Sequence, residues 1–121
     1  MPPQNHQSPA APVLPTISDG LLGLITRRMW LLSDPIRVRL LLLLAAGEAS
    51  VQRLVEEIGG TTHQNVSRNL NLLYRDGLLA RRREGTLMLY SLADYTAGRL
   101  LTLAGQSVAA RIDELGDLVG G

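Results

Sequence analysis

The sequence of 121 residues contains no cysteine, no phenylalanine and no lysine, and only two histidines, His6 and His63. The absence of cysteine excludes disulfides, thiolate metal sites and cysteine nucleophiles. Two imidazoles are too few for a histidine-rich metal cage. No apolar run approaches the roughly 20 residues that a membrane-spanning helix needs, and no secretory leader pattern opens the chain. A chain of this length and composition is expected to form one soluble, cytoplasmic domain.

The charge of the whole chain is nearly balanced, but its distribution is uneven. The 12 basic side chains are all arginine and 11 side chains are acidic, which leaves a net charge of +1. Residues 61–92 carry five arginines and two acidic residues, a net +3, whereas residues 93–121 carry two arginines and four acidic residues, a net −2. Positive charge is therefore concentrated in one segment, as expected where a protein meets an anionic partner.

The chain divides into a predicted disordered tail at 1–17, which holds five of the six prolines, and a folded domain at 18–121. Apolar spacing predicts helices at about 19–32, 35–46, 51–58 and 62–75. Their N-caps are predicted at Ser18, Asp34, Ser50 and either Thr61 or Thr62. The second helix is apolar on nearly all sides, which predicts complete burial.

After the fourth predicted helix, the spacing of apolar residues changes from that of a helix to that of short strands. Residues 78–84 and 86–92 predict a β-hairpin joined at Glu84–Gly85, and residues 94–118 predict a last helix that opens at Asp94. Residues 48–50 are too few to be anything but a turn. The predicted fold is mainly α with a small β-hairpin, in the order helix, helix, helix–turn–helix, hairpin, helix.

Two short helices joined at Gly59–Gly60 are typical of a helix-turn-helix, and the hairpin after them is typical of a wing. In the second of these helices Val66, Leu70 and Leu73 face the predicted core. The opposite side has amide, hydroxyl and guanidinium groups and no carboxylate: Gln64, Ser67, Arg68, Asn71 and Arg75. Because such groups bind base edges and phosphates, this surface is predicted to contact double-stranded DNA.

The predicted DNA contacts fall into three groups. Gln64 and Arg68, with His63, are expected to read base edges, while Thr62, Ser67 and Asn71 position phosphates. Arg81, Arg82 and Arg83 are expected to hold the wing on the DNA backbone. Strand alternation allows at most two of these three arginines to face one backbone. The competing interpretation of the three is a charged strand edge that discourages pairing.

Several stretches of the sequence, in this order, resemble one known family. They are residues 33–40 (SDPIRVRL), 64–70 (QNVSRNL), 73–79 (LYRDGLL), 81–85 (RRREG) and 90–92 (YSL). They resemble the bacterial ArsR/SmtB-type winged-helix regulators over about residues 30–95. The resemblance implies a homodimer joined through the first and last helices, and operator binding by two recognition helices, usually as a repressor released by an effector.

The first and last helices also favour a dimer on their own composition, because their apolar stripes need a partner surface. The residues predicted to form that surface are Leu21, Ile25, Met29, Leu101, Val108 and Ile112. A two-fold symmetric protein matches a palindromic site with half-sites about one helical turn apart.

The sequence departs from the family at its metal sites. The thiolate pair found in many members would fall in residues 49–53, which contain no cysteine. Of the four ligands found between the paired last helices of others, only Asp94 is present; the remaining positions are Thr96, Ser107 and Ala110. An atypical nickel or zinc site that combines Asp94 with His6 of the tail is one alternative. A winged-helix module for protein contacts is another, and no constellation predicts an enzyme.

Overall fold

The computed structural model describes residues 16–119, with side chains described through Gly116. The chain divides into two compact units, residues 1–30 and 31–121. The predicted tail, including His6, lies outside the described residues except for Thr16 and Ile17. Among the residues that are described, no helix has both the length and the hydropathy needed to cross a membrane.

The described residues form five helices and a three-stranded sheet. In chain order the elements are α1 (Asp19–Leu31), α2 (Pro35–Ala45), β1 (Ala49–Ser50), α3 (Val51–Ile58), α4 (His63–Arg75), β2 (Leu79–Glu84), β3 (Leu87–Leu92) and α5 (Tyr95–Val119). The predicted order of helices and hairpin is confirmed, with β1 as an addition. The β2–β3 hairpin is called the wing below.

Side-chain caps determine where the helices begin. The Asp34 carboxylate accepts hydrogen bonds from the backbone nitrogens of Ile36 and Arg37 at 2.9 and 3.1 Å, and Pro35 occupies the first helical position, where no N–H is needed. Thr62, rather than Thr61, caps α4 by accepting from the Asn65 nitrogen at 3.0 Å. The predicted caps at Ser18 and Ser50 are confirmed in the same way.

The prediction that residues 48–50 form only a turn is wrong. Ala49 and Ser50 pair antiparallel with Tyr90 and Leu89 of β3, so the sheet has the order β1-β3-β2. A two-residue strand carries no periodic pattern, and this one forms because β3 has an edge on which the extended backbone before α3 can pair.

The turn of the wing lies one residue later than predicted. Glu84 pairs with Leu87, so Gly85 and Thr86 form a two-residue turn in place of the predicted Glu84–Gly85. The φ of Gly85 is +63°, a conformation that glycine adopts without the steric cost of a side chain.

The core of the second unit is built mainly from leucines of α2, α3, α4 and the wing. Its fully buried side chains include Leu31, Leu40, Leu41, Leu54, Val66, Leu70, Leu73 and Leu78. The prediction that α2 is buried all round is wrong, because Leu42 is 52% exposed. Helices α3, α4 and α5 and strand β3 pack against α2, and Leu42 lines an open groove between α2 and α5.

Candidate nucleic-acid interface

Helix α4 has one buried side and one polar, exposed side, as predicted. Val66, Leu70 and Leu73 have no solvent exposure, and they fix the rotation of the helix about its axis. The opposite side, here called the polar face of α4, presents Gln64, Ser67, Arg68, Asn71 and Arg75, with Ser67 and Asn71 half-buried and the others exposed. The structure therefore brings the predicted base-reading and phosphate-contacting residues of this helix onto one surface.

The N-terminal end of α4 adds further polar groups to that surface. Thr62 and His63 are exposed, and the Ser67 hydroxyl lies 3.5 Å from Nδ1 of His63. The first helical N–H groups and the partial positive charge of a helix N-terminus favour a phosphate nearby. Among the described residues, no side chain of the polar face except Ser67 and Arg68 has a hydrogen-bond or ion-pair partner.

Behind the polar face lies a buried polar pair that the sequence analysis missed. Arg37 of α2 and Asn69 of α4 are only 7% and 5% exposed, and Nη1 of Arg37 donates to Oδ1 of Asn69 at 3.0 Å. The available sequence signal was an arginine among the apolar residues of α2, since a buried arginine requires acceptors.

The first arginine of the wing is stacked on α4. The guanidinium of Arg81 lies 4.0 Å from the centre of the Tyr74 ring, and Nη1 donates to the Tyr90 hydroxyl at 3.4 Å. The hydrogen bond to Tyr90 raises the pKa of Arg81. Arg81 therefore keeps its charge while its side chain links the wing to the C-terminal half of α4.

Arg82 points to the opposite face of the strand from Arg81 and Arg83, and two carboxylates surround it. It donates to both oxygens of Glu48 at 2.8 Å and to Glu84 at 3.0 Å. The hydrogen bond from Arg82 lowers the pKa of Glu48, and the same bond raises the pKa of Arg82. These carboxylates compete with phosphate for Arg82. The contact of Arg82 with DNA therefore stays a prediction, and it requires phosphate to displace the carboxylates.

Arg83 differs from both neighbours. It is exposed, and in the described part of the chain its side chain has no ion pair, hydrogen bond or ring contact. Three consecutive arginines that look equivalent in the sequence thus have three environments: Arg81 on an aromatic ring, Arg82 between carboxylates, and Arg83 in solvent.

Helices α1 and α5 each carry exposed apolar side chains in the single chain. On α1, Leu21, Ile25 and Met29 are 45%, 37% and 46% exposed. On α5, Val108 and Ile112 are 58% and 60% exposed. Leu101, also predicted for the dimer surface, is half-buried and packs against the core of its own chain, which leaves it less surface for a partner.

Asp94, the one described residue of the predicted metal site, caps a helix. Its Oδ1 accepts from the backbone nitrogen of Thr96 at 2.8 Å. Among the described residues, no three or more histidines, cysteines, aspartates or glutamates are grouped as a metal site requires. The other predicted ligand, His6, lies outside the described residues, and the nickel or zinc site stays a prediction.

Comparison with known proteins places this geometry among helix-turn-helix proteins. Residues 32–82 match a family model described as a helix-turn-helix domain. Over 81 residues the chain is 38% identical to the uncharacterized HTH-type transcriptional regulator Rv0081 of Mycobacterium tuberculosis, an alignment that covers 67% of this chain and 70% of the relative.

Solved structures of transcriptional regulators are also similar to this chain. The crystal structure of Rv0081 superposes with a TM-score of 0.72 at 33% identity, over 80% of this chain and 97% of the other. The homodimeric winged helix-turn-helix DNA-binding domain of Mb0332 from Mycobacterium bovis, a possible ArsR-family transcriptional regulator, gives 0.70 at 30% identity, over 82% and 94%. The antimony-specific transcriptional repressor AntR gives 0.75 at 26% identity, over 89% and 96%.

Proposed function

Since this chain belongs to the ArsR-type family of winged helix-turn-helix transcriptional regulators, we propose that it acts as a homodimer that binds a two-fold symmetric DNA operator through α4 and the wing. The observation that carries the proposal is the polar face of α4, which is rich in amide and guanidinium groups and has no carboxylate. In a bacterial cell such an operator lies in the cytoplasm, where we place the protein.

The chemistry of the polar face supports reading of bases in the major groove. A glutamine amide pairs with adenine and an arginine guanidinium with guanine, each through two hydrogen bonds. Gln64 and Arg68 are both exposed on this face, and His63 lies beside them at the helix start. Thr62, Ser67 and Asn71 carry shorter polar groups, which suit contacts to the phosphates on either side.

Among the wing arginines, Arg81 and Arg83 are the better candidates for contact with the DNA backbone. They share one face of β2, and neither is paired with a carboxylate in the described residues. Contacts of this kind contribute affinity that does not depend on sequence and that weakens as salt concentration rises.

The exposed apolar side chains of α1 and α5 support the homodimer. Each helix leaves several large apolar side chains in solvent in the single chain, which is unfavourable unless a second copy covers them. The Mb0332 domain, to which this chain is similar, is homodimeric, which supports a homodimer here. A dimer presents two copies of α4 at the spacing of a palindromic site.

The proposal is tested by selecting binding sites from a random DNA duplex library and measuring affinity as a function of salt concentration. We expect enrichment of a palindromic sequence with half-sites about one helical turn apart. The logarithm of affinity is expected to fall linearly with the logarithm of salt concentration. No enriched sequence and no binding at low salt would contradict the proposal and favour a module for protein contacts.

A further inference from the structure

A chain of four polar side chains runs from the core to the polar face of α4: Arg37, Asn69, Asn65 and Arg68. Only the last is exposed to solvent as a long cationic side chain. We infer that Arg37 and Asn69 are positioning residues, which fix the guanidinium of Arg68 in the geometry that reads a base. The inference rests on the DNA-binding function proposed above and adds how its specificity is set.

The buried end of this chain dictates the orientation of one amide. Arg37 donates from Nε to the carbonyl oxygen of Leu31 at 2.8 Å and from Nη1 to Oδ1 of Asn69 at 3.0 Å. A guanidinium has donors and no acceptor. The oxygen of the Asn69 amide must therefore face Arg37, and its nitrogen must point the other way.

That nitrogen reaches the next residue of the chain. Nδ2 of Asn69 donates to the backbone oxygen of Asn65 at 2.9 Å and lies 3.4 Å from Oδ1 of Asn65. Nδ2 of Asn65 donates to the Thr61 hydroxyl at 2.9 Å. With its nitrogen held by Thr61, Asn65 presents its amide oxygen to Arg68.

The exposed end of the chain is a charged hydrogen bond. Nη2 of Arg68 donates to Oδ1 of Asn65 at 2.7 Å, the short distance typical of a charged donor. This bond uses one of five N–H donors and leaves others for a guanine. Because a long free side chain loses rotamer entropy when it binds, holding Arg68 in advance favours the correct base at lower cost.

The apolar side of α4 packs the helix on the core, since Val66, Leu70 and Leu73 are fully buried. A hydrogen-bond chain that served stability alone would have no need to end on an exposed arginine. This hydrogen-bond chain runs from the buried donor Arg37 to the exposed Arg68. We therefore assign it a role in reading DNA.

The test uses the full chain and two substitutions, with the operator obtained by selection from the random duplex library. Asn69→Asp keeps an acceptor for Arg37 but removes the donor to Asn65. Asn65→Ala removes the acceptor for Arg68 and leaves the backbone oxygen of residue 65 for Asn69. The readout is the specificity ratio, meaning the affinity for the selected site divided by the affinity for a shuffled duplex of equal length.

We expect each substitution to lower the specificity ratio about tenfold, the size of a typical coupling between contacting residues. If the carboxylate introduced by Asn69→Asp acts only through its charge, binding to both duplexes weakens equally and the specificity ratio is unchanged. That result would overturn the inference. Thermal unfolding shows whether Asn69→Asp folds; if it does not, Asn65→Ala decides.

A double substitution separates positioning from direct contact. If Asn65 acts through Arg68, Asn65→Ala added to Arg68→Ala lowers the specificity ratio no further than Arg68→Ala alone. A further, additive loss would mean that Asn65 contacts DNA directly and would overturn the inference. If the wild-type chain selects no sequence at all, it is the proposed function that fails, and the two failures are thereby distinguished.

Discussion

Helix α4 and the wing both carry arginines, yet Arg68 of α4 and Arg82 of the wing are held in opposite ways. On α4, Arg68 is oriented by the neutral amide of Asn65, so its full charge remains available to a ligand. In the wing, Arg82 is bound by the carboxylates of Glu48 and Glu84, so most of its charge is already balanced. The same residue type therefore gives Arg68 a side chain suited to reading a base and Arg82 a side chain whose charge is already balanced.

The difference teaches that a count of basic residues overstates the charge offered to DNA. The region from 61 to 92 has a net charge of +3, but Glu48 lies outside that range in the sequence and beside Arg82 in space. From this comparison we expect substitutions behind α4 and on its polar face to change stability and specificity. Substitutions in the wing should change affinity for all sequences alike.

The largest expected effect comes from the buried support of α4. Arg37→Met leaves two buried acceptors, the Leu31 carbonyl and the Asn69 amide oxygen, without the donor that they share. Each unsatisfied acceptor costs about 1–3 kcal/mol, so the free energy of unfolding should fall by about 2–6 kcal/mol, measured by urea denaturation. Arg39→Met, two residues along α2 and exposed, is the matched control and should stay within about 0.5 kcal/mol.

The next largest effect is expected for Arg68, the arginine of α4 that is proposed to read a base. Arg68→Ala should weaken binding to the selected operator by about 1–3 kcal/mol, because a bidentate contact to guanine is lost. Binding to a shuffled duplex should change far less. Arg111→Ala, which removes one exposed arginine of α5, is the control for net charge. Equal losses for Arg68→Ala on both duplexes would show that Arg68 contacts phosphate and does not read a base.

For Arg83 of the wing we expect a smaller effect, which is the same for every DNA sequence. Arg83→Ala removes an arginine that has no partner in the described residues, and it should weaken binding to the operator and to a shuffled duplex by the same factor. The slope of log affinity against log salt should become shallower by about 0.9, as expected for one lost phosphate contact. A loss confined to the operator would place Arg83 at a base edge.

The sequence predicted the elements well, because each rests on local signals. Caps such as Asp34 and Thr62 and the apolar spacing of α4 placed the helices, and the change to the period of short strands placed the wing. The Arg37–Asn69 hydrogen bond joins residues 32 positions apart, and the Glu48–Arg82 pair joins residues 34 apart. No local pattern encodes such pairs, since they exist only after α2, β1, α4 and the wing have packed.

The sequence also does not predict which individual apolar side chains are buried. Leu42 and Leu101 are apolar residues of strongly apolar helices, yet Leu42 is exposed and Leu101 is half-buried against its own core. Periodicity identifies an apolar side of a helix, but it does not say whether the same chain or a partner covers that side.

The smallest expected effect bears on Glu48. Glu48→Gln removes the negative charge that both oxygens of this carboxylate direct at Arg82. Arg82 keeps its ion pair with Glu84 but becomes more available to phosphate. Affinity for operator and shuffled duplexes should rise modestly and equally, and the salt slope should steepen by at most about 0.9. Glu56→Gln, an exposed glutamate of α3, is the control for net charge.

The same pair makes a prediction about pH. The pKa of Glu48 is lowered from its ordinary 4.5 by Arg82, so the pairing stabilises the fold above pH 4.5 and the contribution is lost as pH falls through the lowered pKa. Glu48→Gln should thus reduce stability slightly at neutral pH, and the difference from the wild-type chain should vanish in acid, measured by thermal unfolding across pH. A fall in DNA affinity, in place of a rise, would mean that Glu48 holds Arg82 in its binding position and would remove the contrast between α4 and the wing.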